Sequence, residues 1–225
     1  MRDKILYALG IAAMVILARD VYLIARLPGE AAQGAIFKII FFHVPAAWTA
    51  IVAATTSLIL SIQFLRTKDF KYDAGAVAVT EVGLAFLGAN LVTGSIWGSV
   101  IWGIWWTWDV RLTSALVCWL LYAGYLMLRH AIEEPTQRAT FAAVFNIFAF
   151  LDVPIVYFSI RWFRTQHPGP VFFSSTGSFP TDWTMILLWN WIGLLLLGIV
   201  MTAVRLRQEN FQREIDSLRR EAHAL

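Results

Sequence analysis

Two histidines and a dense group of tryptophans are the residues of this sequence best suited to binding chemistry. His43 lies two residues before Pro45, and His167 lies directly before Pro168. Five tryptophans fall within twelve residues of the string WGSVIWGIWWTWDVR, which ends at Arg111. Neutral imidazole is a good ligand for transition metals, and the indole face is large, flat and apolar. The combination indicates a site for a flat, apolar ligand that contains a metal.

Composition places these residues in a membrane protein. Of the 225 residues, 59% are hydrophobic and only 15% are charged, whereas a soluble domain carries about 25% charged residues. The net charge of +3 is small and does not indicate nucleic acid as a partner. The single cysteine, Cys118, excludes an intrachain disulfide and a C-x-x-C-H site for covalent haem attachment.

Six segments are long and apolar enough to cross a bilayer as helices, which takes about 20 residues each. The second and third carry no Lys, Arg, Asp or Glu and are longer than one crossing needs, so we expect part of each to lie outside its span. Asp152 and Pro154 are expected to break the fifth. The basic N-terminus resembles a signal peptide without a small-residue cleavage site, which predicts an uncleaved first span. The six segments are roughly 5–25, a part of 39–65, a part of 82–108, and roughly 112–128, 139–160 and 183–204.

The distribution of basic residues predicts how the spans are oriented. With the N-terminus inside, the inner segments hold twelve Lys and Arg residues and the outer segments hold five, so the positive-inside rule puts both termini in the cytoplasm. The connections that carry His43, the tryptophans and His167 then share the outer face. The predicted fold class is an all-α integral membrane protein, with a six-span domain over 1–204 and a cytoplasmic amphipathic tail helix over 205–225.

Two histidines that approach one aromatic surface from separate loops fit an iron porphyrin, since imidazole binds haem iron. Arg161 and Arg164 lie on the same predicted face and suit the propionates of such a ligand. Two other functions stay open at this point. A b-type cytochrome that carries electrons would hold haems at two depths, with further histidines inside the spans. A haem-free permease subunit would use Asp152 and Asn90 to bind its substrate.

Three strings of the chain, FFHVPAAW, WGIWWTWDVRLTS and VPIVYFSIRWFRTQH, resemble those of the cytochrome c maturation protein C family (CcmC, haem exporter protein C). This is one of the tryptophan-rich WWD families that handle haem, and the resemblance covers nearly the whole chain. It implies non-covalently bound haem b at the periplasmic face, with His43 and His167 as the axial ligands of the iron. The other residues expected at the haem are Trp102, Gly103, Trp105, Trp106, Trp108, Asp109, Arg161 and Arg164.

The resemblance also implies a function and a set of partners. Family members present haem at the periplasmic face of the bacterial inner membrane and deliver it to the periplasmic haem chaperone CcmE. They work in an ABC-type exporter complex with the ATPase CcmA, the membrane subunit CcmB and the small membrane peptide CcmD, and they are not conventional enzymes. Membrane lipid is an expected contact, and nucleic acid is not. The chain departs from the family at Ser95 and Ser99, where a proline and a basic residue are common, and at Asp152, where a neutral polar residue is expected.

Overall fold

The structure is a computed structural model that describes residues 2–169 and 179–224, and these residues are almost entirely helical. Within them, extended backbone pairs only at an isolated bridge between Glu30 and Gly34, so the predicted all-α class is confirmed. A short 3-10 helix, Ala35–Ile39, precedes the second α-helix. The α-helices are α1 Arg2–Arg26, α2 Ile40–Thr67, α3 Phe70–Ile101, α4 Val110–Ala131, α5 Pro135–Phe150, α6 Asp152–Trp162 and α7 Thr181–Ala224.

Within residues 2–169 and 179–224, six stretches are long and apolar enough to cross a membrane, in agreement with the predicted number of spans. The second stretch joins the 3-10 helix to α2, and the fifth joins α5 to α6. The break between α5 and α6 falls at Leu151, next to Asp152 and Pro154 as predicted. Proline causes such a break because it has no N–H to donate to the carbonyl four residues earlier.

The start of α3 differs from the prediction. The sequence placed the third span within 82–108, whereas the helix begins at Phe70, with the side chain of Asp69 as its cap. α3 therefore contains two acidic residues, Asp73 and Glu81. A search for uncharged runs begins only after them, at residue 82, and so misses the first part of the helix. Both carboxylates pair with arginine side chains of α4 or α7. Charges inside a helical bundle are tolerated when they are paired in this way.

α2 lies at the centre of the bundle, since it packs against α3, α5 and α7. Small residues line its contact with α3, where a Cβ atom on Gly83 would lie 2.7 Å from the Cβ atom of Ala53. Only glycine allows the two helices to approach this closely. α7 also packs against α1 and α3, and α6 packs against α4.

The last helix, α7, runs without a break from Thr181 to Ala224. It contains the predicted sixth span over 183–204 together with most of the predicted tail helix over 205–225. The division of the chain into two parts at residue 204 stays a prediction, because no change of secondary structure marks it. The apolar side chains that the tail exposes are Phe211, Ile215 and Leu218.

Ion pairs attach this tail to the other helices. The buried carboxylate of Asp73 in α3 accepts hydrogen bonds from Arg129 of α4 at 2.6 and 3.0 Å, and from Arg213 of α7 at 2.6 Å. Glu209 accepts a further bond from Arg213 at 2.8 Å. We call Asp73, Arg129, Glu209 and Arg213 the tail network, and the end of the bundle where they lie the tail end.

Candidate functional site

Three connections meet at the other end of the bundle, which we call the histidine end: those before α2, after α3 and after α6. The Trp97 indole N–H, near the end of α3, donates to the side chain of Gln33 at 2.8 Å. The carboxylate of Asp109 accepts the backbone N–H of Gln166 at 2.9 Å. The first bond joins the end of α3 to the connection before α2. The second brings the tryptophan-rich segment, residues 102–109, into contact with the loop that carries His167.

The two histidines lie close together at this end. His43 lies in the first turn of α2 and His167 lies in the loop after α6, yet their ring centroids are 6.5 Å apart and their planes differ by 30°. An imidazole nitrogen bonds a metal ion at about 2 Å and the ring centre lies roughly 1 Å behind it, so ligands on opposite sides of one ion have centroids about 6 Å apart. The pair therefore has the separation that shared ligation of a single metal ion requires.

A cavity of about 380 Å³ lies against both imidazoles and continues into the bundle, a volume within the range of small-molecule sites. It extends along α2 from Ile40 to Ala54, which at 1.5 Å per residue is about 20 Å. Beyond the histidines its walls are mainly apolar, which suits a hydrophobic ligand. The apolar wall residues include Ala47, Ile51, Leu84, Leu87, Ala115 and Val153.

The four tryptophans expected at the ligand fall into two pairs. Trp102 and Trp106 line the cavity, and Trp102 packs edge-on against Trp97 with ring centroids 5.0 Å apart. The indole N–H of Trp106 is buried and has no hydrogen-bond partner within the described residues. Trp105 and Trp108 are 66% and 79% exposed and do not line this cavity. The first pair thus surrounds the enclosed space, and the second lies on the outer surface beside it.

Gly103 forms the turn by which the chain leaves α3. The helix ends at Ile101, whereas the third apolar run continues to residue 108. Part of the run therefore lies outside the helix, as the sequence predicts. Gly103 has φ 75°, and a Cβ atom there would meet no protein atom within 4 Å. Glycine adopts this left-handed conformation readily, which accounts for the residue by itself. The close approach of its backbone to a ligand stays a prediction.

Asp109 is the N-cap of α4, where its carboxylate accepts the backbone N–H of Arg111 at 2.8 Å. Burial raises the pKa of Asp109, but hydrogen bonds from the Thr165 hydroxyl and the Gln166 N–H outweigh this effect and hold the pKa below its usual value. The ionised carboxylate therefore joins the tryptophan-rich segment to the loop after α6. Contact between Asp109 and a ligand stays a prediction.

Three arginines lie near the histidines, in different positions. Arg111 and Arg161 line the cavity, whereas Arg164 lies beside Trp108 in a shallow depression outside it. Burial lowers the pKa of His167, and the positive charge of Arg111 lowers it further. His167 is therefore neutral at pH 7, which is the form of imidazole that binds a metal ion.

Similarity to known proteins extends over almost the whole chain. The family model described as "Heme exporter protein C" matches residues 1–221. The chain belongs to the haem exporter protein C family.

Curated members of the haem exporter protein C family are similar to this chain over most of their length. "Heme exporter protein C" of Bradyrhizobium diazoefficiens is 34% identical over 216 residues, which cover 96% of this chain and 82% of the relative. The protein of the same name from Escherichia coli K12 is 32% identical over 201 residues, which cover 88% and 81%. A "putative cytochrome c biosynthesis ccmC-like mitochondrial protein" of Marchantia polymorpha is 34% identical over 140 residues, which cover 62% and 59%. The resemblance noted in the sequence is confirmed.

The residues at the histidine end fit the haem that the name of the haem exporter protein C family implies. The imidazoles have the spacing of two ligands to one iron atom, and the space beside them is apolar, as a porphyrin requires. Arg111 and Arg161 line that space and suit propionates. The N–H of Trp106 adds a buried donor to which the described residues offer no acceptor.

The sequence alone does not connect His43 with the residues that hold it in place. They lie on α3, where the Asn90 amide donates to the His43 carbonyl at 3.0 Å and the Thr93 hydroxyl lies 3.0 Å from His43 Nδ1. Gly94 leaves room for the ring, since a Cβ atom there would lie 3.0 Å from His43 Cε1. Their spacing of three and four residues is the signal in the sequence that places them on one helix face. Trp97 is not among the residues expected at the haem, yet it also lines the cavity.

Proposed function

We propose that the chain binds haem b non-covalently at the histidine end, with His43 and His167 as the two axial ligands of the iron. The 6.5 Å separation of the ring centroids is the observation that carries this proposal. Two histidine ligands fill both axial positions and so keep oxygen away from the iron. His43 lies on the central helix and His167 lies in a loop, so His167 is the ligand whose displacement begins the release of haem.

The tryptophan-rich segment packs against the porphyrin. Trp102 and Trp106 contact it inside the cavity, and Trp105 and Trp108 continue this aromatic surface outside, where haem passes to its acceptor. Gly103 allows the backbone to approach the macrocycle. The exposure of the second pair of tryptophans supports this division of roles.

The polar groups around the cavity orient the haem by its propionates. Arg161 and Arg164 pair with these carboxylates, and Arg111 adds positive charge nearer the histidines. Asp109 acts on the haem through the two segments that it joins. The positions of Arg111 and Arg161 in the cavity lining support this orientation.

The histidine end faces the periplasm and both termini are cytoplasmic. The excess of basic residues in the segments assigned to the inner side supports this orientation. The tail network lies at the opposite end of α3 from the residues that hold His43, in agreement with a cytoplasmic tail. The bacterial relatives support a place in the inner membrane.

Haem delivery in cytochrome c maturation is the activity that this site serves, and membership of the haem exporter protein C family supports it. The chain hands haem to the periplasmic chaperone CcmE as part of an exporter with CcmA, CcmB and CcmD, and it has no conventional catalytic role. Mixing the haem-loaded protein with haem-free CcmE tests delivery. Haem should appear on the chaperone, and its retention on this chain would contradict the proposal.

Haem titration of the purified protein tests the ligand assignment. The wild type should give the six-coordinate, low-spin spectrum of bis-histidine haem, and His43→Ala and His167→Ala should each lose it. His130→Ala is a matched control, because that imidazole is exposed at the tail end and contacts the Leu126 carbonyl. Six-coordinate spectra like that of the wild type in both ligand variants would overturn the assignment.

The two alternative functions gain no support from the described residues. An electron carrier needs a second haem, but His130 lies alone and exposed at the tail end. A permease built on Asp152 and Asn90 needs both side chains at one cavity. Asp152 does not line the cavity, and Asn90 bonds the backbone of His43.

A further inference from the structure

The Thr93 hydroxyl contacts one of the two ring nitrogens of His43. Its Oγ1 lies 3.0 Å from His43 Nδ1, and a neutral imidazole has one nitrogen that donates and one that accepts. The direction of the bond between them therefore decides which nitrogen of His43 carries the hydrogen and which keeps a lone pair for a metal ion.

The hydroxyl hydrogen of Thr93 already has a partner within α3. Oγ1 lies 2.7 Å from the carbonyl oxygen of Ala89 and 3.0 Å from that of Asn90, and a helical threonine commonly donates to such carbonyls. Because that hydrogen is donated within α3, Oγ1 can act towards His43 only as a hydrogen-bond acceptor. Nδ1 must then carry the hydrogen, and Nε2 is left with its lone pair.

The Asn90 amide does not reverse this assignment. Its nitrogen lies 3.2 Å from both ring nitrogens of His43, so it does not distinguish one from the other. Its shorter bond, at 3.0 Å, goes to the His43 backbone carbonyl. Gly94 completes the position of the ring by leaving space at Cε1. The Nδ1 and Cε1 edge of the imidazole thus lies against α3.

His167 reaches the same state by a different route. Its Nδ1 lies 2.8 Å from the carbonyl oxygen of Pro168, and a carbonyl oxygen can only accept. Nδ1 of His167 therefore also carries a hydrogen, and its Nε2 keeps a lone pair. The two imidazoles meet across 6.5 Å in matching tautomers.

We propose that Thr93 is a positioning residue for haem: it holds His43 in the Nδ1–H tautomer and directs Nε2 to the iron. This inference rests on the proposed function of the histidine end. When one imidazole nitrogen binds a metal ion, a hydrogen bond donated by the other nitrogen fixes the ring and makes the ligand more basic. The stronger donor favours ferric over ferrous iron, so the bond from His43 to Thr93 lowers the reduction potential of the bound haem.

Three substitutions at one position test this role. Thr93→Val keeps the shape of the side chain and removes the acceptor, and it should weaken ferric haem binding by about 10–100-fold and raise the reduction potential. Thr93→Ser restores the hydroxyl and should restore both values. Thr93→Ala provides the same contrast with Ser if the valine variant does not fold. Haem titration and spectroelectrochemistry of the full-length protein measure the two quantities.

Thr56→Val is the matched control, because the Thr56 hydroxyl also bonds a carbonyl of its own helix, Val52 at 2.8 Å, but lies exposed on α2. It should leave both values as in the wild type. Equal affinity and potential in Thr93→Val, Thr93→Ala and the wild type would overturn the inference. A wild type without a bis-histidine spectrum would instead overturn the proposed function, whatever the Thr93 variants do.

Discussion

The two ends of the helical bundle satisfy their polar groups in opposite ways. At the tail end, the Asp73 carboxylate accepts three bonds from two arginines, and every member of the tail network has a partner of opposite charge. At the histidine end, the described residues leave the indole N–H of Trp106 and the hydroxyl of Thr107 buried without a hydrogen bond. A buried polar group without a partner is costly. The tail network is therefore complete by itself, whereas the tryptophan-rich segment at the histidine end keeps buried polar groups that a ligand could bond.

The same contrast separates structural stability from haem binding. Breaking the tail network should destabilise the bundle without changing the affinity of the folded protein for haem. Changes at the histidine end should alter haem binding more than folding. Substitutions at the two ends test this separation, and they follow in decreasing order of expected effect.

Asp73→Ala should destabilise the protein by about 3–5 kcal/mol, because it leaves the buried guanidinium of Arg129 without its main partner. Thermal unfolding in detergent measures the change. Asp216→Ala removes an exposed carboxylate of the tail that lies 3.8 Å from Arg219, and it should change stability by no more than about 0.5 kcal/mol. A fall in haem affinity of the folded Asp73→Ala protein would contradict the separation of the two ends.

Trp106→Ala should weaken haem binding by about 10–100-fold, since a large side chain buried against a ligand contributes roughly 1.5–3 kcal/mol. Trp105→Ala is its neighbour outside the cavity and should change the affinity by no more than about threefold. Quenching of tryptophan fluorescence during haem titration measures both. Equal losses would mean that the exposed tryptophans also contact bound haem.

Asp109→Ala should destabilise the protein by about 1 kcal/mol through the lost cap of α4 and should also weaken haem binding. The second effect follows because Asp109 joins the tryptophan-rich segment to the loop of His167. Glu134→Ala removes the equivalent cap of α5, where Glu134 accepts the Thr136 N–H at 2.8 Å. Glu134→Ala should lower the unfolding temperature similarly and leave haem affinity unchanged. If it weakens haem binding as much as Asp109→Ala does, loss of a helix cap alone explains the weaker binding.

Arg161→Gln should weaken haem binding only a few-fold, because exposed ion pairs contribute about 0.2–1 kcal/mol. Arg164→Gln should have a smaller effect, since Arg164 lies outside the cavity. The dimethyl ester of haem lacks propionate charges and should bind the wild type and Arg161→Gln equally. If Arg161→Gln weakens the ester as much as free haem, Arg161 does not act through the propionates.

The all-helical fold and the histidine pair were accessible from the sequence for simple reasons. Uncharged runs of sufficient length reveal spans without any knowledge of tertiary contacts. Counting those spans also assigns His43 and His167 to the same end, because an even number of crossings separates their connections. The break at Leu151 is accessible as well, since Pro154 acts on its own helix.

The features that the sequence did not reveal depend on contacts between distant segments. The uncharged-run criterion failed for the start of α3 because Asp73 is neutralised by arginines from two later helices. Thr93 contacts His43 across fifty positions of sequence. Its spacing from Asn90 and Gly94 places the three residues on one helix face, but it does not show that this face meets His43. The four central tryptophans look alike in sequence, and only the folded structure separates the pair that lines the cavity from the exposed pair.

The length of α7 has a mechanical consequence. Its 44 residues correspond to about 66 Å of helix, roughly twice the thickness of the hydrocarbon core. The tail network holds the C-terminal half of α7. The N-terminal half contacts α2 beside His43, where Asn190 donates to the Phe41 carbonyl. A protein that displaced the C-terminal half of α7 would therefore also move the turn of α2 that carries His43.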